Sequence, residues 1–403
     1  MKINKPSHLA TCIIAMAISA VAANSHAAGD QGMFKWSASA GMGYDSNAYQ
    51  APGAPYVDYA ALPIGLNPTI TPSVESGYFV PYEIEVVAEQ NRDRDIRFAG
   101  SATADGNLYL DSALANANEY NFRLRGGSEF VLARAGKSEN VLYVGALLGK
   151  HKQLYVDHDS GLAKTDTVSG SDISERYSYI GTGIEAKYEH RTGKIDYGFN
   201  GQYILNNYED PVVVSQLDHT YYTVGADASL ALLAKTRLSL SFDHAVRDYS
   251  DRHSRDTQGR YSSANPLLLY TFNAVGATLH NRISSDWLLY LDFDHTQRTD
   301  DYVNYNDYKE SRYGARVLFE KGRYKARLAL HHWGRDYPNG FAFDVAGQGA
   351  KTFSGNKLKF KAEMEQSTNA SLWTEIVYNV QNATDLRYDY DRTQIMAGMS
   401  WTY

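Results

Sequence analysis

The chain has 403 residues, a single cysteine and a formal net charge of −7, and this acidic balance argues against a nucleic-acid partner. One cysteine excludes a disulfide framework inside the chain. Tyrosine is unusually abundant, with 32 residues against 14 phenylalanines, and its amphipathic ring suits a membrane–water interface.

The N-terminus predicts a secretory signal peptide. Lys2 and Lys5 precede a mostly apolar stretch at 9–23, and Ser25-His26-Ala27 supplies small residues for cleavage after Ala27. A membrane anchor is the alternative, but the apolar stretch is short and a cleavage site follows it directly. We therefore predict a signal peptide at 1–27 and one mature domain at 28–403, without Cys12.

The mature chain alternates apolar and polar residues with a period of two, which indicates β-strands with one apolar and one polar face. Phe34, Trp36 and Ala38 share one face of the first such segment, whereas Lys35 and Ser37 share the other. Mature residues include no apolar run near the ~18 that a membrane helix needs. The same alternation recurs at 80–86, 195–203, 224–232, 357–364 and 394–403.

Connections between these segments alternate in length, which is typical of an outer-membrane barrel with short periplasmic turns and long extracellular loops. Short turns are predicted at 91–95, 135–139, 191–194, 234–236, 284–286, 320–323 and 367–370. Long loops are predicted at 45–77, 105–118, 157–175, 209–218, 248–266, 299–309, 338–355 and 382–391. We therefore predict an all-β, antiparallel transmembrane β-barrel of about sixteen strands, although fourteen or eighteen also fit.

The last strand ends on aromatic residues, and we predict that it closes the barrel. Its apolar face consists of Ile395, Ala397, Met399, Trp401 and Tyr403. This ending resembles the C-terminal strand of Gram-negative outer-membrane β-barrels. The resemblance implies insertion by the barrel-assembly machinery through this strand, and an outer-membrane location in contact with lipid and lipopolysaccharide.

The first strand ends in Gly-Tyr-Asp-Ser-Asn, at 43–47. This ending is similar to first strands in barrel families tied to exopolysaccharide export and to surface-lipoprotein translocation. The translocation family is expected to carry a helical-repeat domain before the barrel, whereas here the strands begin near Phe34. A Pro-Glu-Phe-Gly constriction motif, typical of trimeric general porins, is also absent from the sequence.

Charged residues on the polar faces are expected to line the barrel lumen. Strands about 5 Å apart would join seven cations into a basic wall: Arg312, Arg316, Lys325, Arg327, Lys357, Lys359 and Lys361. Acidic lumen positions are predicted at Glu83, Glu85, Asp243, Asp292 and Asp294. Such a wall would attract anions, unless the charges pair across the lumen and merely solvate it.

Catalytic and metal-binding patterns are the alternative reading of the charged residues. Asp243-His244 and Asp294-His295 are adjacent on strands, so each carboxylate faces away from its histidine. The sequence lacks Gly-x-Ser-x-Gly, zinc-type histidine spacing and a phosphate loop. We therefore expect no enzyme activity, no cofactor and no metal.

The sequence favours an outer-membrane channel for a hydrophilic solute, either anionic or a saccharide. Tyrosine- and aspartate-rich loops, such as 300–308, could contact sugars or divalent cations, although solvated loops explain them equally well. The alternative is an accessory barrel of a polysaccharide-export or secretion system, with a periplasmic partner; an outer-membrane hydrolase is a weaker one. The loop at 45–77 is the one that we expect to fold inward and narrow the lumen.

Overall fold

The computed structural model describes residues 34–403, apart from 62, 64, 90–94, 137, 210–212 and 215. The signal peptide at 1–27 lies outside these residues and stays a prediction. The turn at 91–95 also lies almost wholly outside them.

Sixteen long strands of the described chain form one closed antiparallel barrel, which confirms the predicted fold and strand number. Two further two-residue strands pair with each other in the loop after the first strand. The strands are Phe34–Asp45 (β1), Tyr56–Val57 (β2), Thr69–Ile70 (β3), Gly77–Glu89 (β4), Ile96–Tyr109 (β5), Glu119–Ala135 (β6), Ser138–Gln153 (β7), Tyr179–Arg191 (β8), Ile195–Tyr208 (β9), His219–Leu233 (β10), Thr236–His253 (β11), Leu267–Arg282 (β12), Trp287–Asp300 (β13), Tyr308–Lys321 (β14), Tyr324–Phe341 (β15), Ala350–Ser367 (β16), Ala370–Ala383 (β17) and Tyr390–Thr402 (β18).

Each barrel strand pairs with its neighbours in sequence, and β1 closes the ring by pairing with both β4 and β18. The described short turns and long loops fall where the sequence places them. Several strands run further than predicted: β5 continues to Tyr109, β11 to His253 and β15 to Phe341. Regular pairing reaches Tyr109 on β5, whereas the register shifts between Asp248 and His253 on β11 and between Tyr337 and Phe341 on β15. Apolar and polar residues do not alternate at these ends, so the sequence pattern misses them. The described helices are four short 3₁₀ turns. None of them is long and apolar enough to cross a membrane.

The two faces of the barrel differ in polarity. Arg97 on β5 reaches Glu139 on β7 at 2.5 Å, and Arg125 on β6 reaches Glu185 on β8 at 2.7 Å. Contacts that skip a strand require a concave surface, so the charged face is the inner one. Apolar residues on the convex face are exposed, for example Ile184, Phe199, Val224, Leu330 and Ile376. Such an apolar outer surface is stable in lipid rather than in water, and the architecture is that of an outer-membrane β-barrel.

The seam between β1 and β18 is held at its short-turn end by the C-terminal residue. Trp36 N donates to Tyr403 O, and Tyr403 N donates to Trp36 O, each at 2.9 Å. The two rings stack with centroids 6.4 Å apart. Further along the seam, Gly41 faces Gly398, and a Cβ on either would lie within 3 Å of the Trp373 indole. Glycine at both positions therefore lets Trp373 lie against the seam from inside.

At the long-loop end the seam is held by a buried charge cluster around Asp45. Its carboxylate is fully buried and accepts hydrogen bonds from Arg392 Nη2 at 2.5 Å and Nε at 2.9 Å. Tyr109 Oη donates to it at 2.6 Å and Gln394 Nε2 at 3.0 Å. These contacts join β1, β18 and β5, so the aspartate of the Gly-Tyr-Asp-Ser-Asn segment fastens the closed ring.

We expect Asp45→Ala to destabilise the barrel by about 3–5 kcal/mol, because it leaves the Arg392 guanidinium buried without its counter-ion. The free energy of unfolding would be measured by urea titration in lipid vesicles. Asp301→Ala, at an exposed loop position, serves as the control and should change it by less than about 0.5 kcal/mol. Equal effects of the two substitutions would contradict this role for Asp45.

Candidate functional site

All seven predicted cations lie on the concave face of three neighbouring strands, β14, β15 and β16. Arg316 pairs in register with Ala329, and Ala329 pairs with Lys359. Arg327 pairs with Lys361 in the same way. Five of these cations line a lumen cavity of about 650 Å³: Arg312, Arg316, Arg327, Lys357 and Lys359. We call the whole set of seven the basic wall.

Five cations of the basic wall form ion pairs, and these pairs run along the wall rather than across the lumen. Arg316 binds Asp292 through two hydrogen bonds of 3.0 Å. Lys359 lies 2.8 Å from Glu375, and Lys325 lies 2.8 Å from Glu365. Arg312 pairs with Glu310 and Lys361 with Glu363. Ion pairs therefore partner five of the seven cations, and each carboxylate lies on the same strand as its cation or on the next one.

Arg327 and Lys357 differ from the other five, because neither forms an ion pair with any residue that the structure describes. Both line the cavity of about 650 Å³ and also a second cavity of about 530 Å³. That second cavity reaches across to Glu83, Asp105 and Arg123 on β4, β5 and β6. The two cations without partners therefore lie where the two cavities meet.

The five predicted acidic residues lie at separate places on the inner wall. Asp292 and Asp294 line the cavity of the basic wall, where Asp292 also accepts a hydrogen bond of 3.0 Å from Thr278. Asp243 lies instead against Gly225 on β10. Glu83 lines the second cavity. Glu85 is the next inward-facing residue of β4 toward the short-turn end of the barrel.

Two residues of the site were missed by the sequence analysis. Glu310 is almost fully buried and holds both Arg312 and Arg335. Arg335 lines the cavity of the basic wall. Both lie in predicted strand segments, next to the predicted long loops at 299–309 and 338–355, where the apolar alternation is weak and does not mark the inward face.

The tyrosine excess has a second explanation, because many tyrosines face inward near the long loops. His151, Tyr179, Tyr208, His219, Tyr249 and Tyr270 contact one another in sequence, with ring centroids 5.0 to 5.9 Å apart. Arg298 bridges Tyr270 and Tyr308, at 4.2 and 4.4 Å from the ring centroids. The chain continues through Tyr337 and Phe353 to Tyr388. We call this set the aromatic collar; it lines the inner wall from β7 round to the β17–β18 loop.

The loop at 46–76 lies across the mouth above the collar. Tyr49 Oη donates to Ala113 O at 2.9 Å, and Tyr56 Oη donates to Asp159 at 2.8 Å. The Tyr56 and Tyr59 rings also lie against Phe343, with centroids 6.3 and 5.4 Å away. Asp159 follows β7 and Phe343 follows β15, and these strands are eight positions apart in the ring of sixteen. The loop therefore bridges opposite sides of the mouth, and Tyr49 also packs against barrel residues such as Phe79.

Two carboxyl groups beneath this loop have shifted acidities. Burial raises the pKa of Asp159 above its ordinary value, despite the hydrogen bond from Tyr56. Burial also acts on Asp157, but the Lys164 ammonium 2.5 Å away outweighs it and holds the pKa of Asp157 below the usual range. No group of three metal-ligating side chains occurs among the residues described by the structure.

His244 and His295, of the two Asp-His pairs weighed for catalysis, point away from the lumen. His244 Nδ1 contacts Asn273 Oδ1 at 2.9 Å, and His295 Nδ1 contacts Ser311 Oγ at 3.0 Å. Both lie on the convex face, in register with Val224 and Val275. This placement does not present either imidazole to a solute in the lumen.

The sequence matches no family model, and a search of curated proteins finds no match. Solved barrels are similar in fold. A loop-deletion mutant of OmpT, an outer membrane protein of Vibrio cholerae, is 9% identical, with a TM-score of 0.45 over 93% of this chain and 100% of that chain. A bacterial polysaccharide outer membrane secretin is 9% identical, with a TM-score of 0.44 over 93% and 99%. A mutant porin of Rh. blastica is 11% identical, with a TM-score of 0.35 over 92% and 100%. We draw no function from these likenesses.

We expect Phe343→Ala to release the loop at 46–76, because the Tyr56 and Tyr59 rings lose a buried partner worth about 3–5 kcal/mol. A spin label at Ala61→Cys, the only cysteine after residue 27, would show greater mobility in its electron paramagnetic resonance spectrum. Tyr56→Phe should have a smaller effect, of about 1 kcal/mol for one hydrogen bond. Tyr302→Phe, at an exposed loop tyrosine, is the control; equal label mobility in all four proteins would refute the bridge.

The same label tests the acidity of Asp159. Because its pKa is raised in the packed loop, the packed loop binds the proton more tightly than the released loop does. Packing should therefore strengthen as pH falls from 7 to about 4 and weaken as pH rises again. Asp159→Asn should remove this part of the response, which separates it from any contribution of the nearby His158. An identical pH response in the two proteins would contradict the assignment.

Proposed function

We propose that this protein is an outer-membrane channel for hydrophilic anionic solutes, with the basic wall as its selectivity element. The observation that carries the proposal is a pair of cations, Arg327 and Lys357, that have no ion-pair partner among the described residues and lie where two lumen cavities meet. Paired cations add little net field, because each neighbouring carboxylate cancels most of the charge. A solute anion near the two free cations gains about 1 kcal/mol per contact in water and more where water is scarce.

The geometry of the mouth fits a selective channel rather than a wide pore. The loop at 46–76 crosses the opening, and the aromatic collar narrows the wall beneath it. Solutes entering from outside would pass these groups before they reach the basic wall. Small hydrophilic anions are therefore the solutes that we expect.

A second function is favoured by the same loop. Tyr56, Asp159 and Phe343 join loops from opposite sides of the barrel, as expected if the lumen opens only when another protein displaces them. This is the accessory barrel of a polysaccharide-export or secretion system. The absence of conductance from the protein alone would support it over the free channel.

The channel proposal is tested by the reversal potential of single channels in planar bilayers under a potassium chloride gradient. We expect anion selectivity in the wild type and a shift toward cation selectivity in the Arg327→Gln/Lys357→Gln variant. The shift should shrink at high salt, where the Debye length falls from about 10 Å at 0.1 M to about 3 Å at 1 M.

The matched control is Lys187→Gln/Glu189→Gln, which removes an ion pair of 2.5 Å from the opposite wall and leaves the net charge unchanged. It should leave the reversal potential near that of the wild type. A folded, heat-modifiable barrel that never conducts would refute the free channel. A conducting barrel whose reversal potential is the same in the wild type and in the Arg327→Gln/Lys357→Gln variant would refute the role of these two cations.

A further inference from the structure

Trp333 is an aromatic side chain in a part of the lumen that is rich in charged residues. It lies on the concave face of β15, in register with Gly355 on β16. A Cβ added to Gly355 would lie 2.4 Å from Trp333 Nε1 and 2.8 Å from Cε2, so the indole covers the backbone of β16 at this point. Trp333 also lines the cavity of about 650 Å³ and is half-buried. One side of the ring therefore rests on the wall, and the residue keeps surface available to the cavity.

Cations surround this ring on the same face. Arg312 on β14 is the register partner of Trp333, and its side chain is 60% exposed. Its Nε donates to Glu310 at 2.5 Å, which fixes the orientation of the guanidinium. The Arg335 guanidinium lies over the Trp333 ring, 5.7 Å from its centroid. Lys357, which has no described ion-pair partner, lies on β16 two residues after Gly355.

A flat aromatic ring beside exposed cations selects one class of solute. The apolar face of a sugar ring stacks on an indole, whereas a carboxylate forms charge-assisted hydrogen bonds with arginine or lysine. A small inorganic anion gains nothing from the indole, and a neutral sugar gains little from the cations. Asp292 and Asp294 in the same cavity could accept hydrogen bonds from hydroxyl groups. A cavity of about 650 Å³ is within the roughly 300–1,000 Å³ typical of small-molecule sites.

We propose that Trp333, together with Arg312, Arg335 and Lys357, forms a binding site for acidic saccharides, with the sugar ring on the indole and its carboxylate on the cations. The inference deepens the proposed channel function by naming the class of solute. The site also serves an exporting barrel, because binding itself does not depend on the direction of transport.

Binding is measured by isothermal titration calorimetry on the folded protein in detergent, so that the result does not depend on conductance. The probes are trigalacturonate as the acidic saccharide, maltotriose as the neutral one and citrate as the small carboxylate. We expect trigalacturonate to bind at least about tenfold more tightly than either of the others, since stacking and charge each contribute about 1 kcal/mol or more.

Trp333→Ala should weaken trigalacturonate binding about tenfold and leave citrate binding unchanged. Trp333→Phe should restore part of the loss, because a smaller ring still stacks. Trp287→Ala is the matched control, since Trp287 lies on the convex face against Phe319 and should not affect binding. If Trp333→Ala fails to fold, Trp333→Leu gives the second test, because it keeps an apolar side chain against Gly355 but has no ring on which a sugar can stack.

Two results would overturn the inference. One is equal affinity for trigalacturonate and citrate that is insensitive to Trp333. The other is equal affinity for trigalacturonate and maltotriose. Either result leaves the channel proposal standing if the bilayers show anion-selective conductance. Conversely, tight trigalacturonate binding by a barrel that does not conduct supports the site and refutes the free channel.

Discussion

Backbone hydrogen bonds impose the strongest constraint on this molecule. Hydrocarbon offers no partner to an N–H or C=O group, so a sheet in a membrane must close on itself. Closure here depends on β1 meeting β18, at opposite ends of the described chain. Backbone pairing of Trp36 with Tyr403 holds one end of that seam, and the buried Asp45–Arg392 pair holds the other. The position of every side chain in the lumen follows from the register that this closure fixes.

Closure also explains why the lumen charges pair as they do. Directly paired residues on neighbouring strands have their Cβ atoms about 5 Å apart, so a long cation reaches a carboxylate on its own or the next strand before it reaches the far wall. Arg316–Asp292 and Lys359–Glu375 are of this kind. The net field in the lumen therefore comes from charges that the register leaves without such a neighbour. Arg327 and Lys357 have that property among the described residues, although the sequence gives them no distinguishing mark.

The repeating parts of the fold were predictable from sequence, because alternation and turn length are local properties. Strand number, the inward face of each strand and the positions of short turns follow from them. Contacts between distant residues could not be predicted in this way. Asp45 and Arg392 are 347 residues apart, and no period links them. Asp45 was therefore noticed only as part of a resemblance in the first strand, whereas the structure gives it a physical role in the seam.

The candidate site shows the same difference between features that local alternation predicts and features that depend on contacts between distant residues. The sequence placed the seven cations on one wall, because three neighbouring strands carry them on one face. Which of them have partners depends on register and on Glu310, Glu363, Glu365 and Glu375, and this could not be read from alternation alone. The aromatic collar was missed for a related reason: its tyrosines lie near strand ends, where the alternation fades into loops. Composition revealed the tyrosine excess but not the inward direction of these rings.

The most direct test of the central claim is the reversal potential of wild-type single channels under a tenfold potassium chloride gradient. The account predicts discrete open steps whose reversal potential is shifted from zero toward the equilibrium potential of chloride. A cation-selective reversal potential, or no steps from a barrel shown to be folded, would contradict it.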